Sequence, residues 1–208
     1  TMLINSTLLS EYIRQSICKD KISVWIAQRN GRTKDGLDKT QQGVLKMLYS
    51  SNKINIFQSL KQLNIVPVTV SYEFEPCDRM KARELILTKA NKIYIKEHNE
   101  DYRSITTGIF SYKGKVHMQF GQAIDAFFDE TLVFNSSNEQ IQYIANLIDK
   151  QMYTNYKLYP NNYIAYDIKH NTNRFQQKYT EAEKKEFMKH IHRQANIKDV
   201  SFVKMKKT

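Results

Sequence analysis

The stretch Val24–Gly36 (VWIAQRNGRTKDG) constrains the fold more than any other part of this chain. It opens with four apolar residues, and a continuous apolar run bounded by turn residues predicts a buried strand, here over Ile22–Ala27. Gly31 and Gly36 follow, where glycine lets the backbone turn tightly and expose its N–H groups. Three cations stand around them: Arg29, Arg32 and Lys34. A buried strand that leads into a basic glycine loop is suited to binding a phosphate or carboxylate, and an ordinary solvated turn is the alternative.

Strand and helix patterns alternate through the first two-thirds of the chain. A second β-rich run covers residues 65–72, and Pro67 is expected near its start because proline cannot donate a hydrogen bond to a sheet. Alternating apolar and polar residues predict a further strand over Val116–Phe120. Apolar residues at helical spacing predict helices within 5–18, 44–48, 54–63, 81–96 and 101–111. This alternation predicts an α/β fold with a largely parallel or mixed sheet flanked by helices.

The last third of the chain has helical patterns only. Ile141, Ile144 and Ile148 form one apolar stripe, and Thr180 with Glu183 forms a capping box that begins a lysine-rich final helix. Five tyrosines crowd residues 153–166, where they could stack on bases or lie at a membrane interface, although we favour packing between helices. We therefore predict two parts, an α/β domain over residues 1–125 and a helical extension over 126–208.

The charge balance indicates anionic partners without choosing among them. The 208 residues hold 32 Lys and Arg against 21 Asp and Glu, a formal net charge of +11. Nucleic acid, an acidic membrane surface and phosphorylated substrates all fit this charge. No apolar run approaches the length of about 18 residues that a membrane-spanning helix needs. Cys18 and Cys77 lie far apart and are predicted to be free thiols.

Catalytic and metal-binding patterns are weak in this sequence. None of the five histidines is spaced with Cys or acidic residues as metal ligands are, so all five are interpreted as surface residues. His190 and His192 would point about 200° apart on a helix. No serine occupies a Gly-x-Ser-x-Gly elbow, and Glu73 with Glu75 is interpreted as an acidic turn before Pro76.

Three blocks, taken in order, resemble the bacterial glycerolipid acyltransferases, which acylate glycerol 3-phosphate or 1-acylglycerol 3-phosphate (lysophosphatidic acid). The segment 26–36 (IAQRNGRTKDG) resembles the Glu-Gly-x-Arg block of that family. The segment 65–71 (IVPVTVS) resembles its later apolar strand with Val-Pro-Val or Ile-Pro. The segments 72–78 (YEFEPCD) and 114–122 (GKVHMQFGQ) are similar to the continuation in bacterial members. The resemblance covers roughly residues 5 to 125.

This resemblance implies a fold, an activity and a site. The fold would be the acyltransferase α/β domain, and the donor would be acyl-CoA or acyl carrier protein, with no bound cofactor or metal. The implied partners are a phosphorylated glycerol acceptor and an anionic membrane surface, at the cytoplasmic side of the inner membrane, with no specific nucleic acid. Gly31 and Arg32 match the positions that bind the acceptor phosphate. The implied substrate-binding set is Arg29, Asn30, Gly31, Arg32, Thr33, Lys34 and Pro67.

Two departures from the family pattern matter for activity. The family's glutamate before the glycine is Asn30 here, so any role that needs negative charge at this position is lost. The family's catalytic His-x-x-x-x-Asp, whose histidine acts as general base, does not occur; His98 is followed at the corresponding place by Arg103. We expect either a fragment of a longer enzyme that lacks its N-terminal catalytic segment or a divergent member that binds without acylating. In both cases this chain alone is predicted to be inactive, and its catalytic residues are unknown.

Two other classes of function remain open. A basic nucleic-acid-binding protein would use the positive charge and the tyrosines, although no DNA- or RNA-binding signature occurs in the sequence. A non-catalytic interaction domain would be a family member whose site has decayed, and Asn30 is the residue that favours it. The sequence leaves the oligomeric state open.

Overall fold

The computed structural model describes residues 2–28, 37–91 and 94–195. Helices and a small sheet make up these ranges, so the predicted mixture of helix and sheet is confirmed at that level. The elements in chain order are α1 (Met2–Cys18), α2 (Gln42–Tyr49), α3 (Ile56–Lys61), β1 (Val68–Tyr72), α4 (Asp78–Asn91), α5 (Glu100–Phe110), β2 (Val116–Phe120), α6 (Ser137–Asn155), α7 (Pro160–His170) and α8 (Glu181–Ala195). Single 3-10 turns lie at Ile124–Phe127 and Gln176–Lys178.

The sheet consists of β1 and β2, which run antiparallel. Its pairing continues past both strand ends, where Glu73 N donates to Lys115 O (2.9 Å) and Gly121 N donates to Pro67 O (2.8 Å). The prediction of a largely parallel or mixed sheet is therefore wrong for the described residues, whose sheet has two antiparallel strands. Sequence patterns locate strands, but they do not determine which strands pair or in which direction.

The predicted first strand is also wrong. Residues 21–27 have no regular secondary structure, and Trp25, which we expected inside a buried strand, is 70% exposed. An apolar run becomes a buried strand only where a neighbouring strand satisfies its backbone groups and other elements cover its side chains. Within the described residues no strand pairs with this segment, and of its apolar side chains Val24 packs against the core while Ile22, Trp25 and Ile26 are exposed.

The chain divides into two compact units, each built from two separate stretches. The first unit comprises residues 1–69 and 118–156, and the second comprises 70–117 and 157–208. The predicted boundary after residue 125 falls inside the first unit. Amino-acid composition does not reveal this division, because each unit combines two stretches that lie far apart in the sequence.

The first unit has its hydrophobic core between α1, α2, α3 and α6. Ile141, Ile144 and Ile148 of α6 are buried, which confirms the predicted stripe. The remaining members of the core are Ile13, Leu45, Leu48, Ile56, Phe57, Leu60, Leu63, Ile124 and Ala145. Complete burial of an aliphatic side chain stabilises a fold by about 1.5–3 kcal/mol, so these residues dominate the stability of the unit.

Helix α1 contacts this core with only part of its apolar residues. Ile13 is buried and Ile17 packs against the core, whereas Leu8 and Tyr12 are exposed and the polar Ser10 is buried. Arg14 contributes instead: its Nη2 donates to Ser59 Oγ (2.8 Å) and its Nη1 to Ser59 O (3.2 Å). Desolvation lowers the pKa of Arg14 from its ordinary value. A guanidinium with several donors thus joins α1 to α3.

The second unit contains α4, α5, α7 and α8. The capping box that opens α8 is confirmed, since Glu183 N donates to Thr180 Oγ1 (3.2 Å) and Thr180 N donates to Glu183 Oε2 (2.7 Å). Cys18 and Cys77 are not joined in a disulfide, as predicted. Within the described residues, no helix combines the length and the apolar character needed to cross a membrane.

Candidate functional site

Most of the predicted site lies outside the described residues. Arg29, Asn30, Gly31, Arg32, Thr33 and Lys34 fall between residues 28 and 37, where the structure describes nothing, and only Pro67 of the predicted set is described. The structure does describe the chain on both sides of this loop, through Gln28 on one side and from Leu37 onward on the other. We use the name "basic loop" for residues 29–36.

The two ends of the basic loop are joined by hydrogen bonds. Gln28 Nε2 donates to Thr40 Oγ1 (2.5 Å), and Thr40 Oγ1 in turn donates to Asp149 Oδ1 of α6 (2.6 Å). Thr40 N donates to the same carboxylate oxygen (2.8 Å). The hydroxyl of Thr40 is therefore both an acceptor, from Gln28, and a donor, to Asp149. Holding both ends of a loop in place lowers the entropy cost of ordering the residues between them.

Negative charge is concentrated where the chain leaves the basic loop. Asp38 has a buried Oδ1 atom that makes no hydrogen bond within the described part of the chain. Desolvation, followed by the charges of Asp149 and Asp38, raises the pKa of Tyr153 from its ordinary value. The carboxylates of Asp38 and Asp149 therefore both influence Tyr153 of α6, and positive charge on the basic loop would be attracted to them.

Pro67 lies where the sequence predicted, directly before β1. It is buried, and its carbonyl oxygen accepts a hydrogen bond from Gly121 N (2.8 Å). A Cβ atom on Gly121 would lie 2.5 Å from Gln151 Oε1 and 3.3 Å from Pro67 O, so a side chain does not fit at this position without movement. The glycine is needed for the close approach of the chain to α6 and to Pro67.

Helix α6 holds both Thr40, beside the basic loop, and the chain next to Pro67, but on different sides. Gln151 Oε1 accepts from Gln122 N (2.8 Å), and Gln151 Nε2 donates to Gln122 O (3.1 Å). Asp149, which holds Thr40, is two residues earlier on the same helix. Side chains two residues apart on an α-helix project about 200° from each other, so the two attachments lie on opposite sides of α6. No local sequence signal marked Asp149 or Gln151, because their partners lie far along the chain.

The second unit holds a histidine–carboxylate pair that the sequence analysis missed. His190 Nε2 lies 2.7 Å from Asp78 Oδ2, and the imidazole lies 4.7 Å, centroid to centroid, from the ring of Phe74. Both side chains are largely covered, with 14% of the His190 side chain and 27% of the Asp78 side chain exposed. His190 therefore differs from the surface residue we expected. A carboxylate in this position orients the imidazole ring.

Three of the five tyrosines in residues 153–166 pack within the chain, whereas Tyr153 and Tyr156 are 49% and 40% exposed. Tyr159 is buried, and Tyr163 and Tyr166 lie with their ring centroids 5.3 and 5.1 Å from that of Phe175. Arg174 lies over the rings of Tyr166 and Phe175, at 6.0 and 5.3 Å. Internal packing, the interpretation we favoured, accounts for these rings. Rings held in this way give no specific support to base stacking by a nucleic acid.

Asp167 is a buried carboxylate at the C-terminal end of α7. Desolvation would raise its pKa, but hydrogen bonds from Phe175 N (3.0 Å), Tyr179 Oη (3.0 Å) and Thr172 Oγ1 (3.0 Å) lower it overall. Because every one of these donors lies in the segment 172–179 that follows α7, the carboxylate organises this connection. Its role is explained by the fold, and it is not part of the candidate site.

Within residues 2–28, 37–91 and 94–195, no three His, Cys, Asp or Glu side chains are grouped so that they could hold a metal ion. Comparison with protein-family models, with curated proteins and with solved structures finds no match to this chain.

Proposed function

We propose that the basic loop binds the phosphate of glycerol 3-phosphate or 1-acylglycerol 3-phosphate, and that the chain supplies the acceptor site of a glycerolipid acyltransferase. The observation that carries this proposal is the connection of Gln28, Thr40 and Asp149, which fixes both ends of a loop that contains Arg29, Arg32 and Lys34. A segment with cations and glycine is a suitable phosphate site, and fixed flanking residues reduce the ordering entropy that is lost on binding. The resemblance of three ordered sequence blocks supports the same assignment.

Each residue of the proposed site has a role that its chemistry favours. Arg32 offers a planar fork that fits two phosphate oxygens, and Gly31 lets backbone N–H groups approach the ligand. Thr33 and Lys34 add a hydroxyl and a further positive charge. Arg29, Asn30 and Pro67 complete the set carried over from the resemblance.

Acyl transfer by this chain alone is not part of the proposal. The sequence contains no His-x-x-x-x-Asp from which a general base could be assigned. His190 with Asp78 is not proposed as a substitute, because Asp78 does not follow His190 in the His-x-x-x-x-Asp spacing of the family. We propose acyl-CoA or acyl carrier protein as donor and an anionic membrane surface as the place of action for the complete activity.

The proposal is tested by isothermal titration calorimetry of the purified chain with glycerol 3-phosphate. Loss of one bidentate charged contact costs about 1.5–3 kcal/mol, so Arg32→Ala is expected to weaken binding by about tenfold or more. Arg79→Ala is the matched control, because Arg79 is an exposed arginine of α4 in the second unit. Glycerol, which lacks the phosphate, should not bind.

Two results would contradict the proposal. If Arg32→Ala bound glycerol 3-phosphate as tightly as the unmodified chain, the basic loop would not be the phosphate site. If the purified chain transferred an acyl group from acyl-CoA to glycerol 3-phosphate, the prediction of inactivity would be wrong, while the assignment of the phosphate site would stand.

A further inference from the structure

The stretch of chain before the basic loop exposes most of its apolar side chains. Ile22 is 59% exposed, Trp25 70% and Ile26 40%. Val24, between them, packs against the hydrophobic core of the first unit. We call residues 22–26 the apolar segment. Scattered exposed apolar residues are ordinary on a protein surface, but three within five positions, one of them tryptophan, indicate an interaction surface.

The apolar segment is attached to the first unit on both sides. Ile22 N donates to Ser16 O in α1 (2.9 Å), and just beyond the segment Gln28 Nε2 donates to Thr40 Oγ1 (2.5 Å). Val24 attaches the middle of the segment to the core. The exposed side chains therefore belong to a fixed stretch of chain, and docking them loses less conformational entropy than docking a free stretch would.

Exposed cations lie on both sides of the apolar segment. Lys19 and Lys21 precede it, the cations of the basic loop follow it in the sequence, and Lys39 comes after that loop. The ammonium group of Lys21 donates to a backbone carbonyl oxygen of α1 (2.8 Å). Within residues 2–28, 37–91 and 94–195, none of these three lysines pairs with a carboxylate. Their charges are therefore available to an anionic partner.

The carboxylates beside these cations are mostly withdrawn from solvent. Within residues 19–28 and 37–40 the exposed carboxylate is Asp20, whereas Asp38 is half-buried and its Oδ1 atom is covered. Asp149, which accepts from Thr40, is half-buried as well. A negatively charged surface laid against the apolar segment would thus meet more cations than carboxylates.

We propose that the apolar segment docks the chain on the headgroup region of an anionic lipid bilayer, with Ile22, Trp25 and Ile26 inserted between the lipids. Tryptophan favours the membrane interface because its ring is apolar and its N–H group is polar. Cations beside inserted apolar side chains add attraction to anionic headgroups. The inference rests on the proposed function in one respect, since the membrane surface is the place of action proposed there.

The backbone limits the depth of this contact. Residues 21–27 have no regular secondary structure, and no described strand pairs with them. Irregular backbone exposed to lipid is not stable inside the hydrocarbon core, because its polar groups find no partners there. The backbone of the apolar segment therefore stays at the level of the headgroups, where water is present, and its exposed side chains alone reach the acyl chains.

Two other occupants fit the apolar segment less well. A two-fold contact with a second copy would bring the same cations of both chains together, and like charges across an interface oppose binding. A single-stranded nucleic acid would match the cations and could stack a base on Trp25. It would not bury the aliphatic side chains of Ile22 and Ile26, as lipid acyl chains do.

The fluorescence of Trp25 tests the inference directly, because this is the single tryptophan of the chain. With vesicles of phosphatidylglycerol and phosphatidylethanolamine, we expect its emission to move to shorter wavelength and to be quenched by lipids that are brominated near the headgroup. Phosphatidylcholine vesicles, which carry no net charge, should cause a much smaller shift. The inference is overturned if the full chain does not bind the anionic vesicles, or binds them with unchanged emission.

A matched pair of substitutions assigns the contact to the apolar segment. In vesicle flotation, Trp25→Ala should lower the partition coefficient about tenfold or more, since most of a large aromatic surface no longer leaves water. Tyr102→Ala is the control, because Tyr102 is an aromatic residue of the second unit with nearly the same exposed fraction (69%). Equal losses in the two variants would overturn the inference. Circular dichroism melts verify that each variant is folded.

Ile22→Ser retains the fluorescent residue and should reduce the spectral shift at a given lipid concentration. An unchanged shift in this variant would count against insertion of the segment. A shift that appears with an oligonucleotide, or with rising protein concentration, and not with vesicles would overturn the inference in favour of a nucleic acid or a second copy.

Calorimetry with soluble glycerol 3-phosphate separates this inference from the proposed function. If the chain binds glycerol 3-phosphate but not the anionic vesicles, the membrane contact is rejected and the phosphate site stands. If it inserts Trp25 into the vesicles but does not bind glycerol 3-phosphate, the phosphate site is rejected and the membrane contact stands.

Discussion

Asp78 Oδ2 lies 2.7 Å from His190 Nε2, although 112 positions of the sequence separate the two residues. Asp78 is the first residue of α4 and His190 lies in the last helix, so one contact joins two helices of the second unit. The carboxylate also interacts favourably with the positive end of the α4 dipole. Phe74 covers the imidazole from the end of β1. The pair is thus a tertiary link between three elements of the unit.

Loss of this link should destabilise the chain. We expect His190→Ala to lower the free energy of unfolding by about 1–3 kcal/mol, because Asp78 loses a hydrogen bond in a partly covered position. Urea denaturation followed by circular dichroism measures the change. His98→Ala, at an exposed histidine, is the control and should stay within about 0.5 kcal/mol of the unmodified chain. Equal effects of the two substitutions would show that the pair contributes nothing.

The hydrogen bonds among Gln28, Thr40 and Asp149, beside the basic loop, should depend on the hydroxyl group of Thr40. Thr40→Val keeps the shape of the side chain but removes the Oγ1 contacts with Gln28 and Asp149. We expect a loss of about 1–3 kcal/mol in the free energy of unfolding, measured by urea denaturation. The control is Thr154→Val, since Thr154 is exposed and its hydroxyl bonds only to Lys150 O in its own helix.

The same variant connects stability with binding. If the anchoring of the loop ends matters for the proposed phosphate site, Thr40→Val should also weaken the affinity for glycerol 3-phosphate in calorimetry. Unchanged affinity in a folded Thr40→Val variant would show that the hydrogen bonds of the Thr40 hydroxyl do not contribute to phosphate binding.

Protonation of Asp167 should contribute to the loss of stability in acid. Its pKa is lowered in the folded chain, so its stabilisation is complete above the ordinary aspartate value of 3.8 and is lost as the pH falls through the lowered native value. Asp167→Asn cannot lose a charge, and its stability should therefore fall less steeply with pH in that window. Thermal melts at a series of acidic pH values measure the slope. Asp20→Asn serves as an exposed control, and a slope for Asp167→Asn identical to that of the unmodified chain would contradict the prediction.

Tyr94 should ionise late in an alkaline titration. Desolvation, together with its hydrogen bond to Glu100 and the charge of that carboxylate, raises the pKa of Tyr94 to about 12. Because the native value is raised, the stabilisation is present below the ordinary tyrosine value of 10.0 and is lost as the pH rises through about 12. Ultraviolet absorbance of phenolate should show this late step, and Tyr94→Phe should remove it. Tyr102→Phe, which removes an exposed tyrosine, should leave it in place.

Local patterns predicted most elements but not their arrangement. The position of Pro67 before β1, the α6 stripe and the capping box of Thr180 and Glu183 follow from rules that act within a few residues. The predictions of a strand over Ile22–Ala27 and of a largely parallel or mixed sheet were wrong, because strand pairing depends on partners that no local pattern identifies. The sequence predicted two parts of the candidate site, the basic loop and Pro67. The bond from Thr40 to Asp149 and the bond from Gln122 to Gln151 are seen only in the structure.

The sequence by itself indicated most of the helices, though not their exact ends, which segment carries cations beside glycine, and that the chain is strongly basic. The tertiary structure decided which surfaces are covered. It buried Ser104 and left Ile105 and Ile109 exposed, although periodicity alone would assign the opposite orientation to α5. It also placed His190 beside Asp78. The physical reason is that periodicity and capping are properties of neighbouring residues, whereas burial and ion pairing depend on segments that the folded chain brings together from distant positions.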